Sequence, residues 1–219
     1  MIADEILNGC GGAAAELNAA IGDGKNVSVF GVPFAARLLL SAQRKRLLYV
    51  VSDVSVAREA YETLSALDGR TVLLLPRYDV VTYKRMAAGD GDGDRFSALY
   101  DMAAGDARIA VVPASAFLQR YPAADRIRNA AIVLEKDAEY ELSGLRRRLI
   151  AAGYKEAPAV AASGEFSLRG DILDVWGAGM AAAVRAEFFG DTLEELRTLD
   201  ESGRSVDKIG RALVKPFSS

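Results

Sequence analysis

Short apolar runs alternate with amphipathic stretches through the first half of the chain. The runs are rich in Val, Ile and Leu, which is typical of strands buried on both faces of a parallel sheet. They lie at residues 26–30, 47–51, 71–75 and 109–113. Helices are predicted after Asp53 and over residues 95–104, because apolar residues recur there at helical spacing. Strands and helices that alternate in this way predict a layered α/β domain with right-handed crossovers.

The second half has a different pattern, in which apolar and polar residues alternate with a period of two. This pattern predicts a twisted, largely antiparallel sheet accompanied by one helix, which is an α+β module. The strands are predicted at 132–134, 165–169, 171–176, 184–189 and about 193–199, and the helix at 142–152 with Leu142, Leu145 and Leu149 on one face. We therefore divide the chain into a first domain at 1–115, a second domain at 116–210 and the start of a linker at 211–219.

Alternation also predicts which side chains point away from the core of this second sheet. Arg185, Glu187 and Phe189 share that face in one strand, and Ser167 and Arg169 share it in another. The residues predicted to face the core are Val184, Ala186, Phe188, Phe166 and Leu168. A phenylalanine between charged residues on such a face is unusual, and arginine and aromatic residues are common anchors of protein-binding hot spots. Two interpretations stay open: Phe189 belongs to a partner-binding surface, or it packs under the segment that links the two domains.

Composition and charge remove several classes of function. Apolar residues make up 51% of the chain and charged residues 26%, which is typical of a folded protein. The net charge is −3, and neither half has the basic excess expected of a module that binds a nucleic-acid backbone unaided. The chain has no histidine and one cysteine, Cys10. A catalytic Ser-His-Asp or Cys-His group, an internal disulfide and a structural zinc site are therefore excluded.

Segments that would target the chain to a membrane are not recognisable in the sequence. No stretch approaches the ~18 apolar residues that a membrane-spanning helix needs. The N-terminus also lacks a basic segment followed by an apolar one, which is the pattern of a secretory signal. We therefore predict a cytoplasmic protein without a membrane partner.

Residues 31–38 occupy the place of a phosphate-binding loop, between a predicted strand and the helix that follows it. Of the pattern G-x-x-x-x-G-K-[ST], only Gly31 is present. Ala36 replaces the second glycine, Arg37 replaces the lysine, and Leu38 replaces the hydroxyl residue that binds magnesium. Leu38 cannot bind a metal, so we predict a degenerate, non-functional loop and no nucleotide cofactor.

Two further motifs have structural interpretations that we prefer to functional ones. The acidic repeat at 89–94 resembles the start of a calcium-binding loop, but Arg95 and Asp101 stand where glycine and a bidentate glutamate are needed. We predict a flexible acidic loop that leads into a helix, and no metal site. The run Arg146-Arg147-Arg148 is predicted to be a solvated helix face, with weak nucleic-acid contact as the alternative.

The chain resembles a known family. The similarity lies in residues 164–175, 185–191 and 196–197, and it continues through 76–79, the helix from Arg95, 111–113 and 149–154. These segments are similar to the UvrB-type module that occurs in the excinuclease component UvrB and at the N-terminus of the bacterial transcription-repair coupling factors (Mfd). The resemblance implies a RecA-like, P-loop-NTPase-type parallel-sheet half domain with a degenerate phosphate loop, followed by a smaller α+β UvrB-type domain 2.

The degenerate loop distinguishes these two groups of relatives. UvrB resembles a working helicase with an intact lysine-containing loop, whereas the N-terminal region of the coupling factors resembles UvrB with a decayed ATP site. The resemblance therefore implies a coupling-factor fragment without ATPase activity. In that family the second domain binds the excinuclease component UvrA, and the binding residues, two arginines and a phenylalanine, correspond to Arg169, Arg185 and Phe189. Glu187 joins this candidate site because alternation places it on the same strand face.

The function that the resemblance implies is recruitment of UvrA in transcription-coupled nucleotide excision repair. Full-length relatives resemble ATP-dependent DNA translocases that also engage RNA polymerase and double-stranded DNA through domains absent from these 219 residues. The alternative is an ATP-binding, helicase-type fragment that acts directly on DNA, as UvrB does. The two hypotheses differ in whether the chain binds ATP.

Overall fold

The computed structural model describes residues 12–42, 44, 46–68, 72–76, 90–200 and 202–218. Several residues named above, Cys10, Arg77, Tyr78, Asp79 and Gly89, lie outside these ranges. The helices are α1 (Gly12–Gly22), α2 (Phe34–Ala42), α3 (Val54–Asp68), α4 (Asp90–Ala104), α5 (Ala114–Phe117), α6 (Ala124–Ala130) and α7 (Leu142–Ala151). The strands are β1 (Leu47–Val51), β2 (Val72–Leu74), β3 (Ile109–Pro113), β4 (Ile132–Glu135), β5 (Lys155–Glu156), β6 (Glu165–Arg169), β7 (Ile172–Val175), β8 (Val184–Phe189), β9 (Thr192–Leu199), β10 (Ser205–Lys208) and β11 (Arg211–Val214). The chain divides into two compact units, whose described residues are those up to 76 with 105–118, and 90–104 with 119–218.

The first unit contains a parallel sheet with the order β1-β3-β2 among the described residues. Helix α3 follows β1 as predicted, because the Asp53 carboxylate accepts hydrogen bonds from the backbone N–H groups of Val56 (3.0 Å) and Ser55 (2.9 Å). These bonds, the one from Val56 first, lower the pKa of Asp53. The buried core of the unit comprises Leu38, Ala42, Ala57, Ala60, Leu64, Val72, Ile109 and Val111.

The strand predicted at 26–30 is absent, and this prediction was wrong. Residues 25–30 have no regular secondary structure, and Val27, Val29 and Phe30 are exposed, Phe30 to 88%. A strand needs a neighbour that satisfies its backbone N–H and C=O groups. Residues 26–30 pair with no strand in the part of the chain that the structure describes. An apolar composition alone is therefore not enough to make residues 26–30 a strand of the sheet.

The second unit is built on a larger sheet, whose described strands have the order β10-β9-β8-β7-β6-β5. Neighbouring strands are antiparallel except for β5 and β6. Strands β4 and β11 form a separate antiparallel pair. Helix α7 contributes Leu145 and Leu149, which are 3% and 1% exposed, to the core, and Leu142 is partly buried beside them. The predicted apolar face of this helix is therefore confirmed.

Apart from residues 116–118, which belong to the first unit, the two units differ from the predicted domain boundaries at two places. Residues 90–104 were expected in the first domain, but α4 belongs to the second unit, where the Lys215 ammonium lies 2.7 Å from the Asp101 carboxylate. The linker expected at 211–219 contains β11, which pairs with β4 along its whole length. Both differences arise from contacts between segments that are far apart in the sequence, and local periodicity does not report such contacts.

The prediction of a flexible acidic loop was wrong where the structure describes the repeat: residues 90–94 form the first turns of α4, which begins at Asp90 rather than at Arg95. Gly93 faces the ring of Phe217, and a Cβ atom at Gly93 would clash with that ring. Because Phe217 is 3% exposed and packed in the core, the glycine serves packing. The described residues contain no group of three or more His, Cys, Asp or Glu side chains that could hold a metal ion.

None of the helices in the described ranges is both long and apolar enough to cross a membrane.

Candidate protein-binding surface

Strands β6, β7 and β8 present a continuous face on the side of the sheet opposite to the core of the second unit. The antiparallel register pairs Ile172 with Arg169 on one side and with Glu187 on the other, and it pairs Asp174 with Arg185. Side chains that are paired in this way are neighbours on one face of the sheet. We call this surface the outer face, and it consists of Arg169, Ile172, Asp174, Arg185, Glu187 and Phe189.

The burial of β8 follows the predicted alternation. Val184, Ala186 and Phe188 are buried in the core. Arg185 and Glu187 are partly exposed on the other face, and Phe189 is 76% exposed. Phe189 therefore does not pack under another segment of the described chain, which was the second interpretation of its position.

Ser167 lies on the predicted side of the sheet, opposite Asp174 in the register, but it is covered rather than accessible. Ser167 is 2% exposed, and its hydroxyl donates a hydrogen bond to the Pro158 carbonyl at 3.1 Å. The segment that contains Pro158 thus covers the part of the face at the start of β6. Arg169, two residues further along the strand, has a side chain that is 62% exposed. The accessible part of the face therefore begins at Arg169.

A buried carboxylate connects the two candidate arginines. The Asp174 side chain is 6% exposed, and its two oxygens accept hydrogen bonds from Nε (2.7 Å) and Nη2 (2.8 Å) of Arg185. The hydrogen bonds to Asp174 raise the pKa of Arg185 above its ordinary value. Nη2 of Arg169 lies 3.6 Å from Oδ2 of the same carboxylate. The structure therefore brings Arg169 and Arg185 together around Asp174.

The outer face also has an apolar part. Phe189 is the last residue of β8, before the turn that leads into β9, and Ile172 is the first residue of β7. Ile172 is 39% exposed and stands between Arg169 and Glu187 in the register. An exposed aromatic ring near an exposed aliphatic side chain, bordered by charges of both signs, is the composition of a protein-binding hot spot.

The charged surface continues onto β9, which sequence reasoning did not include in the site. Arg197 is paired with Arg185 in the register, so two like charges stand directly opposite each other. Arg197 donates hydrogen bonds to Glu195, and Lys208 donates to the same carboxylate. Hydrogen bonds from Lys208 first, and then from Arg197, lower the pKa of Glu195. Each arginine of the pair is thus matched by its own carboxylate.

Sequence reasoning also missed Asp174 and Ile172, although a signal for both was present. In the predicted strand at 171–176, Leu173 and Val175 alternate with Ile172 and Asp174. Period two therefore places Ile172 and Asp174 together on the face opposite to the core. A carboxylate at that position, between two strands that carry outward arginines, indicates an ion pair.

The residues predicted to form a degenerate phosphate loop surround the start of α2 in the first unit. Gly31 has a left-handed backbone with φ of 70°. Ala36 is partly buried, and the exposed Arg37 has its guanidinium carbon 5.6 Å from the centre of the Phe34 ring. Leu38 is 1% exposed and belongs to the core of the unit. The side chain that aligns with the magnesium-binding hydroxyl of the phosphate-loop pattern therefore packs inside the protein.

The arginine run on α7 is engaged within its own unit. Arg146 forms a two-pronged pair with Glu156, with Nη2 2.6 Å from Oε2. Arg147 lies 3.4 Å from Glu141, and Arg148 donates to the Ala131 carbonyl at 3.3 Å. The exposed helix face is confirmed, and its charges have partners nearby.

Comparison with known proteins supports the family resemblance noted in the sequence. Residues 132–219 match a family model described as the UvrB interaction domain, a region that contains the whole outer face. The transcription-repair-coupling factor of Myxococcus xanthus is 32% identical over 210 residues, which are 88% of this chain and 17% of that protein. The chain is similar to transcription-repair-coupling factors over most of its length.

Two further coupling factors show the same relationship. That of Haemophilus influenzae is 28% identical over 180 residues, which are 81% of this chain and 16% of that protein. That of Bacillus subtilis is 25% identical over 181 residues, which are 81% of this chain and 15% of that protein. This chain therefore spans between 15 and 17% of the length of the three coupling factors.

Proposed function

We propose that this chain is the excinuclease-recruiting part of a transcription-repair-coupling factor and that it binds the excinuclease component UvrA through the outer face. The observation that carries the proposal is the assembly of Arg169, Arg185, Glu187 and Phe189 on one accessible face of β6–β8. The family match to a UvrB interaction domain covers all three strands. Recruitment of the repair machinery in transcription-coupled repair is then the function of this region.

The outer face is suited to a partner surface that carries acidic groups around an apolar pocket. Arginine binds carboxylates through two parallel hydrogen bonds, and such pairs are strong when water is excluded. Phe189 supplies the ring that would fill the pocket, and its burial on binding would exclude water from the arginines. Glu187 adds one negative charge, which would select against a purely acidic partner surface.

The arginine contribution is tested by replacing Arg169 with alanine and measuring the affinity for purified UvrA by calorimetry. We expect about a tenfold loss, because Arg169 offers a largely exposed guanidinium at the rim of the apolar part. Arg147→Ala is the matched control, since Arg147 is also exposed and paired with a single carboxylate but lies on α7. Equal affinities of the two variants would contradict the assignment of Arg169 to the site.

We further propose that the first unit is the RecA-like half domain of the coupling factor and that it neither binds nor hydrolyses ATP. Its parallel sheet and the replaced phosphate-loop residues support this interpretation. We likewise propose that RNA polymerase and double-stranded DNA, the other partners that the resemblance implies, are bound by parts of the full-length relatives outside the matched region. A helicase-like fragment that acts on DNA finds no support in Arg146–Arg148, since these side chains are engaged within the unit.

Magnesium–ATP is expected to leave the melting temperature of the chain unchanged at millimolar concentration. Leu38 is buried where a hydroxyl should bind magnesium, and Ala36 stands where glycine should let the phosphates approach. A nucleotide present at a hundredfold excess over its Kd would stabilise the fold by about 2.7 kcal/mol, which is roughly 5–10 °C for a chain of this size. Differential scanning fluorimetry decides the question, and a shift of that size would support the helicase-like alternative.

A further inference from the structure

Asp174 is a charged residue on the outer face that neither the sequence analysis nor the resemblance assigned to the binding site. It lies on the central strand of the three, between the core residues Leu173 and Val175, and it is 4% exposed. A carboxylate withdrawn from water to this extent is costly unless cations and hydrogen bonds compensate it. Arg185 and Arg169 provide that compensation.

The geometry determines which part of Arg185 remains for a partner. Asp174 occupies one edge of the guanidinium, that formed by Nε and Nη2, with hydrogen bonds of 2.7 and 2.8 Å. Arginine has five N–H donors in a fixed fork, and the two bonds to Asp174 do not use those on Nη1, which can donate to a second carboxylate. The Arg185 side chain is 23% exposed. The buried carboxylate thus fixes the plane of the guanidinium and leaves the Nη1 donors for recognition.

Arg197 gives a second reason why Asp174 is needed to hold the Arg185 guanidinium in place. It stands directly opposite Arg185 across the β8–β9 pair, and like charges in that arrangement repel each other. An Arg185 side chain without Asp174 would be free to turn away from Arg197 and into solvent. A mobile arginine must be ordered when the partner binds, and this ordering reduces affinity.

We propose that Asp174 is a positioning residue for partner recognition, which holds Arg185, and more loosely Arg169, in the orientation that binds acidic groups of UvrA. This inference rests on the proposed function of the outer face. If Asp174 has this role, lysine at position 185 cannot replace arginine in partner binding. A single ammonium group cannot pair with Asp174 and still present a second donor edge to a partner.

A double-mutant cycle with Asp174→Asn and Arg185→Ala, read as affinity for purified UvrA, tests the proposal. Asp174→Asn keeps the shape of the side chain and removes its charge. We expect it to weaken binding about tenfold in the otherwise unchanged chain and to have a much smaller effect, through Arg169 alone, when Arg185 is alanine. Glu156→Gln is the matched control, because Glu156 pairs in the same two-pronged way with Arg146 outside the outer face. It should bind like the unchanged chain.

Two readouts separate positioning from a merely structural role. The Arg185 Nε–H signal in nitrogen-15 NMR spectra should be protected from exchange in the unchanged chain and lose that protection in Asp174→Asn. Arg185→Lys should bind as weakly as Arg185→Ala. Both measurements keep the proposal testable if Asp174→Asn does not fold, since the first can be made on the unchanged chain and the second retains Asp174.

The possible failures are distinguishable. If Arg185→Ala binds UvrA normally, the proposed function of the outer face fails. If Arg185→Ala loses binding while Asp174→Asn does not, only the positioning role of Asp174 is overturned. The same follows if Asp174→Asn weakens binding equally with and without Arg185, if Arg185→Lys binds normally, or if the Arg185 Nε–H signal of the unchanged chain is unprotected.

Discussion

Replacing Leu145 with alanine is expected to lower the free energy of unfolding of the second unit by about 2–5 kcal/mol. Leu145 is 3% exposed and packs in the core with Leu149 and Phe166, both of which are essentially inaccessible. Removing three carbon atoms there forfeits their burial and leaves a cavity that the sheet and helix α7 can close only in part. Urea denaturation followed by circular dichroism measures the change.

Arg147→Ala is the control for this experiment, because it lies on the same helix two residues further along. Its side chain is 72% exposed, and its one ion pair, with Glu141, is on the surface. Surface pairs contribute little, so we expect a change within about 0.5 kcal/mol. Similar losses of stability from the two substitutions would mean that α7 presents a different face to the sheet than the structure shows.

Much of the second unit could be predicted from the sequence because its strands are half-buried. A strand with one face in the core and one in solvent has a strict period of two, and a shift by one residue would expose its apolar side chains. The register of β8 therefore follows from Val184, Ala186 and Phe188 alone. The exposure of Phe189 follows from the same alternation.

Segments buried on both faces, or on neither, carry no such signal. The run at 26–30 has the composition of a buried parallel strand, yet it lies exposed and unpaired with any described strand. Ser167 stands at an outward position and is nevertheless covered, because the segment at Pro158 folds over it. In both cases the outcome depends on whether another segment of the chain packs or pairs there, and the local periodicity of the sequence does not report this.

The candidate site shows the same limit of prediction from local sequence patterns. Alternation and the family resemblance together name Arg169, Arg185, Glu187 and Phe189, and the structure places all four on one face. The pairing of Asp174 with Arg185 requires knowing that β7 lies between β6 and β8 and in which register. The opposition of Arg185 and Arg197 likewise becomes visible only in the paired strands. The sequence thus predicts which residues lie on the outer face, whereas their ion pairs and cross-strand neighbours require the paired strands.

Phe189→Ala is expected to weaken binding to UvrA by at least ~30-fold, which corresponds to about 2 kcal/mol. Among the described residues of the second unit, Phe189 is the most exposed large apolar side chain, so its removal takes little from the core. Arg185→Ala changes stability as well as binding, because it leaves the buried Asp174 carboxylate without its closest cation. A loss of binding by Phe189→Ala can therefore be assigned to the interface itself.

Calorimetric titration of UvrA with Phe189→Ala and with the unchanged chain decides whether the outer face of β6–β8 binds UvrA. Phe30→Ala is a matched control, because Phe30 is also an exposed phenylalanine but lies in the first unit. Thermal melting should show that both variants remain as stable as the unchanged chain, within about 0.5 kcal/mol. We expect Phe30→Ala to bind normally and Phe189→Ala to lose at least ~30-fold in affinity. Normal binding by a folded Phe189→Ala variant would contradict the assignment of UvrA binding to the outer face.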